Sequence, residues 1–181
     1  MSSDVQTLGR DQAASLREEL RGIWLSAFLP PPYSEPEDQA EWLLAEFDPD
    51  RGREGFRCCV AAEDGRPVGF GCGFRWTDGQ HQGPWSKALI ESVGSDRADR
   101  WIRGQFAVAC LAVVPELQGR GIGGRLHDAL LEELPESRAW LVTYDFDCAA
   151  RHLYQRRGWI ELGRGPLGSG GRIDLVLGLE V

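Results

Sequence analysis

The sequence has no apolar run that approaches the roughly 20 residues of a membrane-spanning helix. Its opening, MSSDVQTLGRDQ, lacks the basic start and the apolar core of a secretory signal. No internal repeat, low-complexity tract or linker divides the chain, and 181 residues suit one domain. We therefore predict a single domain, residues 1–181, in a cytoplasmic protein.

Positive charge is also in deficit. The sequence has 20 lysines and arginines against 28 acidic residues, and its net charge is −8. A general nucleic-acid binder needs a basic face, so the composition disfavours this class. The negative charge is compatible with a cationic ligand such as an amine, although solubility alone is the simpler explanation.

The cysteines and histidines of the sequence give little support for a metal site or a disulfide bond. The five cysteines are odd in number and form no C-x-x-C pair, and the three histidines show no ligand spacing. We therefore predict no metal site, and reduced cysteines that act as small buried apolar residues.

The first 50 residues show two helical patterns. Asp11 is placed to cap a helix that runs to about Phe28, where three prolines follow. Ser34 and Glu37 have the spacing of a capping box for a second helix. This part of the domain is therefore predicted to be helical.

The rest of the chain mixes strands and helices. Asp64-Gly65 between two apolar runs indicates a hairpin. Residues 76–103 are predicted as a long loop insertion with a helix over 85–93. A strand, a glycine-rich turn, a helix over 123–134 and further strands around a glycine-rich loop at 163–171 follow. This order predicts an α+β fold with a largely antiparallel sheet.

The glycine-rich turn after the strand over 105–114 is the most informative stretch. Glycine lets the backbone approach a ligand closely, and the unpaired N–H groups of a helix N-terminus attract anions. Arg120 and Arg125 would add positive charge at its rim. The turn predicts a nucleotide or CoA pyrophosphate site, and the alternative is a plain strand–turn–helix whose glycines serve packing. Its glycines are Gly119, Gly121, Gly123 and Gly124.

Residues 119–124 also satisfy G-x-G-x-x-G, the dinucleotide-binding fingerprint. That fingerprint follows directly on a strand that opens its domain, but here residues 115–118 intervene and two helices and two strands come first. The chain after Gly124 is too short for a doubly wound sheet. An NAD(P)-binding protein is therefore disfavoured.

Two motifs carry a resemblance to a known family. LAVVPELQGRGIGGRL, residues 111–126, resembles the pyrophosphate loop of the GNAT superfamily of acyl-CoA-dependent N-acyltransferases. Downstream, ARHLYQRRGW, residues 150–159, resembles that family's A-x-x-L-Y-x-x-x-G-F element. The resemblance covers about residues 56–179. It implies a mixed, mainly antiparallel sheet of about six to seven strands, flanked by about four helices and splayed at the central strand.

The resemblance implies acetyl-CoA as co-substrate and no metal. The backbone of Leu111, Ala112 and Val113 would pair with the pantetheine arm like an added strand. The Val113 amide would also polarise the thioester carbonyl. The turn would hold the pyrophosphate through Gln118, Gly119, Arg120, Gly121, Ile122, Gly123 and Gly124.

The catalytic candidates follow from the same resemblance. Tyr154 would protonate the departing CoA thiolate, and the alternative is a buried aromatic residue. Many relatives carry, on the strand of the core motif, an acidic residue that serves as the general base. This sequence has no acidic residue on that strand. Asp145 is our candidate base, although a strand-end acid is often a loop cap; Glu116 and His81 are alternatives. Asp147 stands where the family often has Asn, and we expect it to cap the next helix.

These features predict an N-acetyltransferase in which an amine, most simply of a small molecule, attacks acetyl-CoA directly in a ternary complex. A non-catalytic acyl-CoA-binding or sensor domain is the alternative, because the central strand lacks an acid. No nucleic-acid or membrane partner is expected, and a homodimer is compatible with the resemblance and the tryptophan content. The candidate residues that would line the acceptor pocket are Trp24, Phe28, Tyr33 and Trp85.

Overall fold

The computed structural model of the protein describes residues 4–48, 53–77, 79 and 82–181. The described residues form seven α-helices: α1 (Arg10–Ser15), α2 (Arg17–Phe28), α3 (Asp38–Leu44), α4 (Pro84–Val93), α5 (Ser95–Trp101), α6 (Ile122–Leu131) and α7 (Ala149–Arg156). They also form seven strands: β1 (Asp4–Leu8), β2 (Arg57–Glu63), β3 (Arg66–Arg75), β4 (Phe106–Val113), β5 (Arg138–Tyr144), β6 (Ile160–Leu167) and β7 (Ile173–Glu180). None of these helices is long and apolar enough to cross a bilayer.

The strands form one sheet in the order β1-β2-β3-β4-β5-β7-β6. The pairs β1/β2, β2/β3, β5/β7 and β6/β7 are antiparallel. β4 and β5 are parallel and pair at Phe106↔Ala139 and Ala107↔Trp140. The predicted α+β fold with a mainly antiparallel sheet is confirmed. The seven helices exceed the four expected, because short helices replace stretches predicted as loop or as one longer helix.

The chain comprises two compact units, Met1–Phe74 with Ala109–Glu132 and Arg75–Val108 with Glu133–Val181. In the first unit, α2 and α3 pack together and bury an apolar face with side chains of β2, β3 and β4. These buried side chains include Leu20, Trp24, Leu43, Leu44 and Phe70, and Phe47 of the 3-10 turn after α3 joins them. In the second unit, α4 lies against β6, and the buried side chains include Leu89, Ile102, Trp140, Leu141, Leu162, Leu175 and Val176.

The N-terminal region differs from the prediction in three respects. β1, an edge strand paired with β2, was not predicted, because its five residues are mostly polar and exposed. The predicted first helix is two helices, since Leu16 leaves helical geometry between them (φ −98°, ψ 13°). α1 is capped by Gly9, whose N–H donates to Gln12 Oε1 at 3.0 Å, so Asp11 lies inside the first turn.

The predicted capping box of Ser34 and Glu37 is wrong. Ser34 has a left-handed backbone (φ 51°), which removes it from the N-cap position. Glu37 is itself the N-cap of α3, and no capping hydrogen bond from its side chain is found. A spacing of two residues in the sequence does not show the backbone conformation at Ser34.

Segment 76–103, predicted as a long loop with one central helix, contains α4 and α5 in its described residues. The helix predicted over 85–93 is confirmed as Pro84–Val93, with Pro84 at its first turn and Gly83 as N-cap. α6 ends at Leu131, earlier than predicted, because Glu132 already has an extended backbone (φ −61°, ψ 129°).

All five cysteines are free and buried. Cys58 of β2 lies opposite Cys72 of β3, and both share the first unit's core with Cys110 of β4. Burial raises the pKa of the Cys58 thiol to about 12, and it also raises the pKa values of Cys72 and Cys110. Because the thiolate is the reactive form, these thiols are inert packing groups at neutral pH.

The hairpin predicted at Asp64-Gly65 is confirmed: both residues have positive φ, 48° and 75°. The glycines of β3 also allow neighbouring elements to approach closely. A Cβ on Gly69 would lie 2.9 Å from the Ala112 carbonyl oxygen and 3.1 Å from Leu126 Cδ1. Gly69 therefore lets α6 and the end of β4 pack closely on β3.

Replacing Gly69 by alanine should destabilise the protein by about 1–3 kcal/mol, because the new methyl group must displace backbone at Ala112. Urea unfolding measures this change. Gly22 is the matched control, since it lies inside α2 and a methyl group added there would meet no atom within 4 Å. Gly22→Ala should stabilise by about 0.5–1 kcal/mol through helix propensity. Equal effects of the two changes would refute the packing role of Gly69.

Candidate active site

β4 ends at Val113 and leads into the glycine-rich turn. The Val114 N–H donates to the Val68 carbonyl on β3 at 2.9 Å, and a 3-10 turn over Pro115–Leu117 follows. Gln118 Nε2 then donates to the Val113 carbonyl at 2.9 Å. Gln118 is one of the residues predicted to bind the cofactor. Its hydrogen bond connects the turn to the end of β4.

The turn itself exposes glycine backbone at the start of a helix. Gly119 and Gly121 are left-handed, with φ of 76° and 79°, a conformation that side chains disfavour. Gly121 is the N-cap of α6, and as a glycine it has no side chain with which to cap the helix. Among the described residues, one atom, Arg125 Nη1 at 3.8 Å, lies within 4 Å of the position of a Cβ on Gly121. An exposed helix N-terminus with open space in front suits an anion.

All of the predicted cofactor residues lie in the first unit, along β4, the turn and the first turn of α6. Ala112 and Val113 are buried, while Leu111 is partly exposed. The turn residues 119–121 are exposed. The elements therefore occur in the order that the sequence predicts, a buried strand followed by an exposed, glycine-lined turn. Their contacts with a cofactor stay a prediction.

Tyr154 lies in the second unit, on α7. Its side chain is 6% exposed, and its ring is 5.5 Å from the ring of Trp159. α7 ends at Arg156, left-handed Gly158 follows (φ 79°), and the Trp159 N–H donates to the Tyr154 carbonyl at 3.1 Å. The motif thus packs its tyrosine against its own terminal aromatic residue, which fixes the ring. A proton-donating role for the hydroxyl stays a prediction.

Asp145, the predicted base, follows β5 and is held by two arginines. Its Oδ1 accepts from Arg151 Nη1 at 3.2 Å, and its Oδ2 accepts from Arg164 Nη1. The Asp145 carboxylate, followed by Glu161, raises the pKa of Arg164. Because both carboxylate oxygens are engaged, this geometry favours an ion-pairing role. Asp145 as a base stays a prediction, and neither arginine was identified from the sequence.

Asp147 does not cap α7 as predicted. The N-cap is Cys148, and Asp147 Oδ1 instead pairs with His152 Nε2 at 2.7 Å. Asp147 comes one residue before the N-cap of α7, and its carboxylate therefore reaches along the helix to His152. Of the alternative bases, Glu116 is exposed in the 3-10 turn, and His81 lies outside the described residues.

The aromatic residues predicted to line the acceptor fall into two groups. Trp24, Phe28 and Tyr33 form a chain in the first unit, with ring centroids 5.3 Å apart at each step. Trp24 is buried and serves the core. Trp85 belongs to the second unit, is 41% exposed and lies 6.1 Å from Trp76. Among the described residues, no group of His, Cys, Asp and Glu is placed to hold a metal ion.

The α+β fold, the glycine-lined turn and the tyrosine helix are together the features of an acyl-CoA-dependent acyltransferase. The family model "Acetyltransferase (GNAT) family" matches residues 14–159, well over half of the chain. The chain belongs to this family and is an acyltransferase enzyme of the GNAT type. Members of the family use acetyl-CoA. A comparison with curated proteins gave no match.

Solved structures show the same fold. A mosquito arylalkylamine N-acetyltransferase like 5b is similar with a TM-score of 0.70 and 14% identity, over 99% of this chain and 100% of that one. The ribosomal-protein-S18-alanine N-acetyltransferase of Escherichia coli gives 0.63 and 17%, over 99% and 94%. The PaiA N-acetyltransferase of Thermoplasma acidophilum, in complex with coenzyme A, gives 0.60 and 15%, over all of both chains. At these identities the likeness concerns the fold alone.

Proposed function

We propose that this chain transfers an acetyl group from acetyl-CoA to the amine of a small molecule, within a ternary complex. The observation that carries the proposal is the turn over residues 118–124, where exposed left-handed glycines lead into a helix whose N-cap is itself a glycine. The N–H groups there suit a pyrophosphate, with Arg120 and Arg125 at the rim. The solved relative with coenzyme A supports the same choice of cofactor.

The thioester end would be held along β4. In this proposal the backbone of Leu111, Ala112 and Val113 pairs with the pantetheine arm. The Val113 carbonyl accepts from Gln118, which holds the end of β4 against the turn. The Val113 N–H would then donate to the thioester oxygen as negative charge develops there. The neutral amine attacks the carbonyl carbon, the C–N bond forms, the C–S bond breaks, and CoA leaves as a thiolate.

Two protons must move in this reaction. The attacking amine must lose one, and the thiolate must gain one for the products to be an amide and CoA thiol. Tyr154 is the proposed donor to the thiolate, and its packing against Trp159 supports a fixed hydroxyl position. Asp145 is the proposed acceptor from the amine, although its pairs with Arg151 and Arg164 make this the weaker assignment.

A small-molecule acceptor is favoured over a protein N-terminus, because the aromatic-rich segment 76–103, with Trp76, Trp85 and Trp101, would narrow the acceptor groove. The cytoplasm is the proposed compartment, since five free thiols suit a reducing environment. Among the relatives, one is named for arylalkylamines and another for a ribosomal-protein alanine, so relatives of this fold serve both kinds of acceptor.

The experiment that tests the proposal has two parts. Calorimetric titration should show acetyl-CoA binding with a micromolar Kd, and NAD(P)H, run beside it, should not bind. Release of CoA thiol should then be followed with acetyl-CoA and a panel of primary amines, with mass spectrometry of the products. Acetyl-CoA binding without acetylation of any amine would refute the small-molecule acceptor. Failure of acetyl-CoA to bind the folded protein would refute the proposal as a whole.

A further inference from the structure

Among the described residues of the first unit, two carboxylates are buried, and the proposed transfer step uses neither. Glu46 is 1% exposed, and Arg53 donates to both of its oxygens, at 2.6 and 3.0 Å. This ion pair accounts for the burial of Glu46, because buried charges are usually paired. Glu35 is 8% exposed and lies in the α2–α3 loop, residues 29–37. Its burial calls for a separate explanation.

The α2–α3 loop holds Glu35 against the end of α2. The Glu35 N–H donates to the carbonyl of Phe28, the last residue of α2, at 3.0 Å. Both sequence neighbours, Ser34 and Pro36, are exposed, and within residues 29–39 Glu35 alone is buried. Because its neighbours face solvent, the Glu35 side chain points into the first unit.

The end of α2 and the end of β4 share one core. Phe28 and Val114, the residue after β4, both pack against the core cluster of the first unit. The ring of Phe28 also lies 5.3 Å from the ring of Tyr33 in the α2–α3 loop. These residues and the proposed thioester-binding residues 111–113 all belong to the first unit. Glu35 and the proposed thioester strand are therefore anchored on one core, within one compact unit.

A carboxylate and aromatic rings on one short stretch of chain fit a cation. The rings of Phe28 and Tyr33 have faces that attract an ammonium group within about 6 Å. A carboxylate accepts hydrogen bonds at about four positions, so a ligand N–H can be added to the contacts that Glu35 makes within the protein. The net charge of −8 also attracts cations at long range. These features suit a protonated amine better than a neutral or anionic ligand.

We infer that Glu35 binds the ammonium group of the acceptor and takes a proton from it. This inference rests on the proposed acetyl transfer. An alkylamine, like lysine, is almost entirely protonated at neutral pH, and its nitrogen then has no lone pair with which to attack. Transfer of one proton from the nitrogen to the Glu35 carboxylate gives a neutral amine and a carboxylic acid. The amine then attacks the thioester, and the acid returns its proton to water after the product leaves.

This step comes before the one assigned to Asp145. Asp145 would accept the proton that the nitrogen loses when the C–N bond forms, whereas Glu35 prepares the nucleophile. The strand of the core motif has no acidic residue for this task. Glu35 would supply the missing acid from the α2–α3 loop.

The first test is a binding measurement that does not depend on turnover. Phenethylamine and 2-phenylethanol are a matched pair, because they differ in carrying an ammonium or a hydroxyl group. By calorimetric titration with CoA present, wild type should bind phenethylamine roughly 10- to 100-fold more tightly, the range of a charged hydrogen bond. Glu35→Gln should abolish this preference and leave the Kd of 2-phenylethanol unchanged, which shows that the pocket is intact. Glu35→Asp should retain part of the preference.

Glu37→Gln is the matched control. Glu37 lies two residues further along the same loop, its side chain is 62% exposed, and its Oε1 pairs with Arg21 at 2.6 Å. The same chemical change there should leave the preference for phenethylamine intact. The inference is overturned if wild type does not bind phenethylamine more tightly than 2-phenylethanol. It is also overturned if Glu35→Gln keeps the preference, or weakens both ligands alike.

A turnover measurement tests the proton transfer. β,β-Difluorophenethylamine has nearly the shape of phenethylamine, but its fluorines make the amine much less basic, so far more of it is neutral at neutral pH. Glu35→Gln should lower kcat/KM for phenethylamine by roughly 100-fold or more, the loss expected without a base. For the difluoro compound the loss should be several-fold at most. Equal losses for the two amines would refute the proton transfer.

The two measurements separate this inference from the proposed function. If wild type prefers phenethylamine through Glu35 but acetylates no amine, the ammonium site stands and the transfer proposal fails. If amines are acetylated and Glu35→Gln behaves as wild type does, the transfer proposal stands and the role of Glu35 is refuted.

Discussion

Replacing Gly121 by glutamate should weaken acetyl-CoA binding by roughly 100-fold or more, as measured by calorimetric titration. A carboxylate at the N-cap of α6 would face the pyrophosphate, and like charges in contact cost several kcal/mol. The glutamate would also compete for the N–H groups of the first turn, because carboxylates are themselves good helix caps. Both effects act on phosphate binding.

Two controls separate this effect from backbone strain. Gly121→Ala has the same unfavourable φ of 79° but adds no charge, so it should bind acetyl-CoA more tightly than Gly121→Glu. Gly65 is exposed in the β2–β3 hairpin, with φ of 75° and nothing near a Cβ position. Gly65→Glu adds the same charge and strain elsewhere and should leave the Kd unchanged. A wild-type Kd for Gly121→Glu would mean that the glycines serve packing.

Replacing Tyr154 by phenylalanine should lower kcat by roughly 100-fold or more, with the Kd of acetyl-CoA nearly unchanged. Removal of a general acid typically costs roughly 10²- to 10⁴-fold, because the thiolate must then leave unprotonated. Phenylalanine keeps the ring that packs 5.5 Å from Trp159, so the fold should be retained. Pre-steady-state acetyl transfer separates this chemical step from product release.

Trp159→Phe is the control for packing. It alters the same aromatic pair and leaves the Tyr154 hydroxyl in place, so kcat should stay within about threefold of wild type. If Tyr154→Phe and Trp159→Phe lower kcat alike, the tyrosine acts as a buried aromatic residue. If Tyr154→Phe has no effect on kcat, another group or water supplies the proton.

Local sequence patterns predicted the features that depend on neighbouring residues. The Asp64-Gly65 hairpin and the turn at Gly121 each need a backbone conformation that glycine supplies. An apolar strand comes before the turn and an amphipathic helix follows it, as the sequence pattern predicts. This part of the candidate site could be predicted because its residues are contiguous in the chain.

Features that depend on distant residues could not be predicted in this way. Asp145 pairs with Arg164, 19 residues away, and no pattern in a single sequence reports that contact. Arg172 and Tyr144 meet because β5 and β7 are neighbours in the sheet, which follows from the strand order alone. β1 was missed because a short polar edge strand is specified by its partner β2 more than by its own residues.

The burial of the cysteines has a practical consequence for spectroscopy. Cys58, Cys72 and Cys110 lie in the core, and burial raises the pKa values of their thiols. A thiol-directed dye at neutral pH would therefore not react with them. One new cysteine on the exposed turn, for example in place of Arg120, could then be labelled without removing those native thiols. The fluorescence of a label on the turn could then report the binding and release of a cofactor in a protein that keeps those native cysteines.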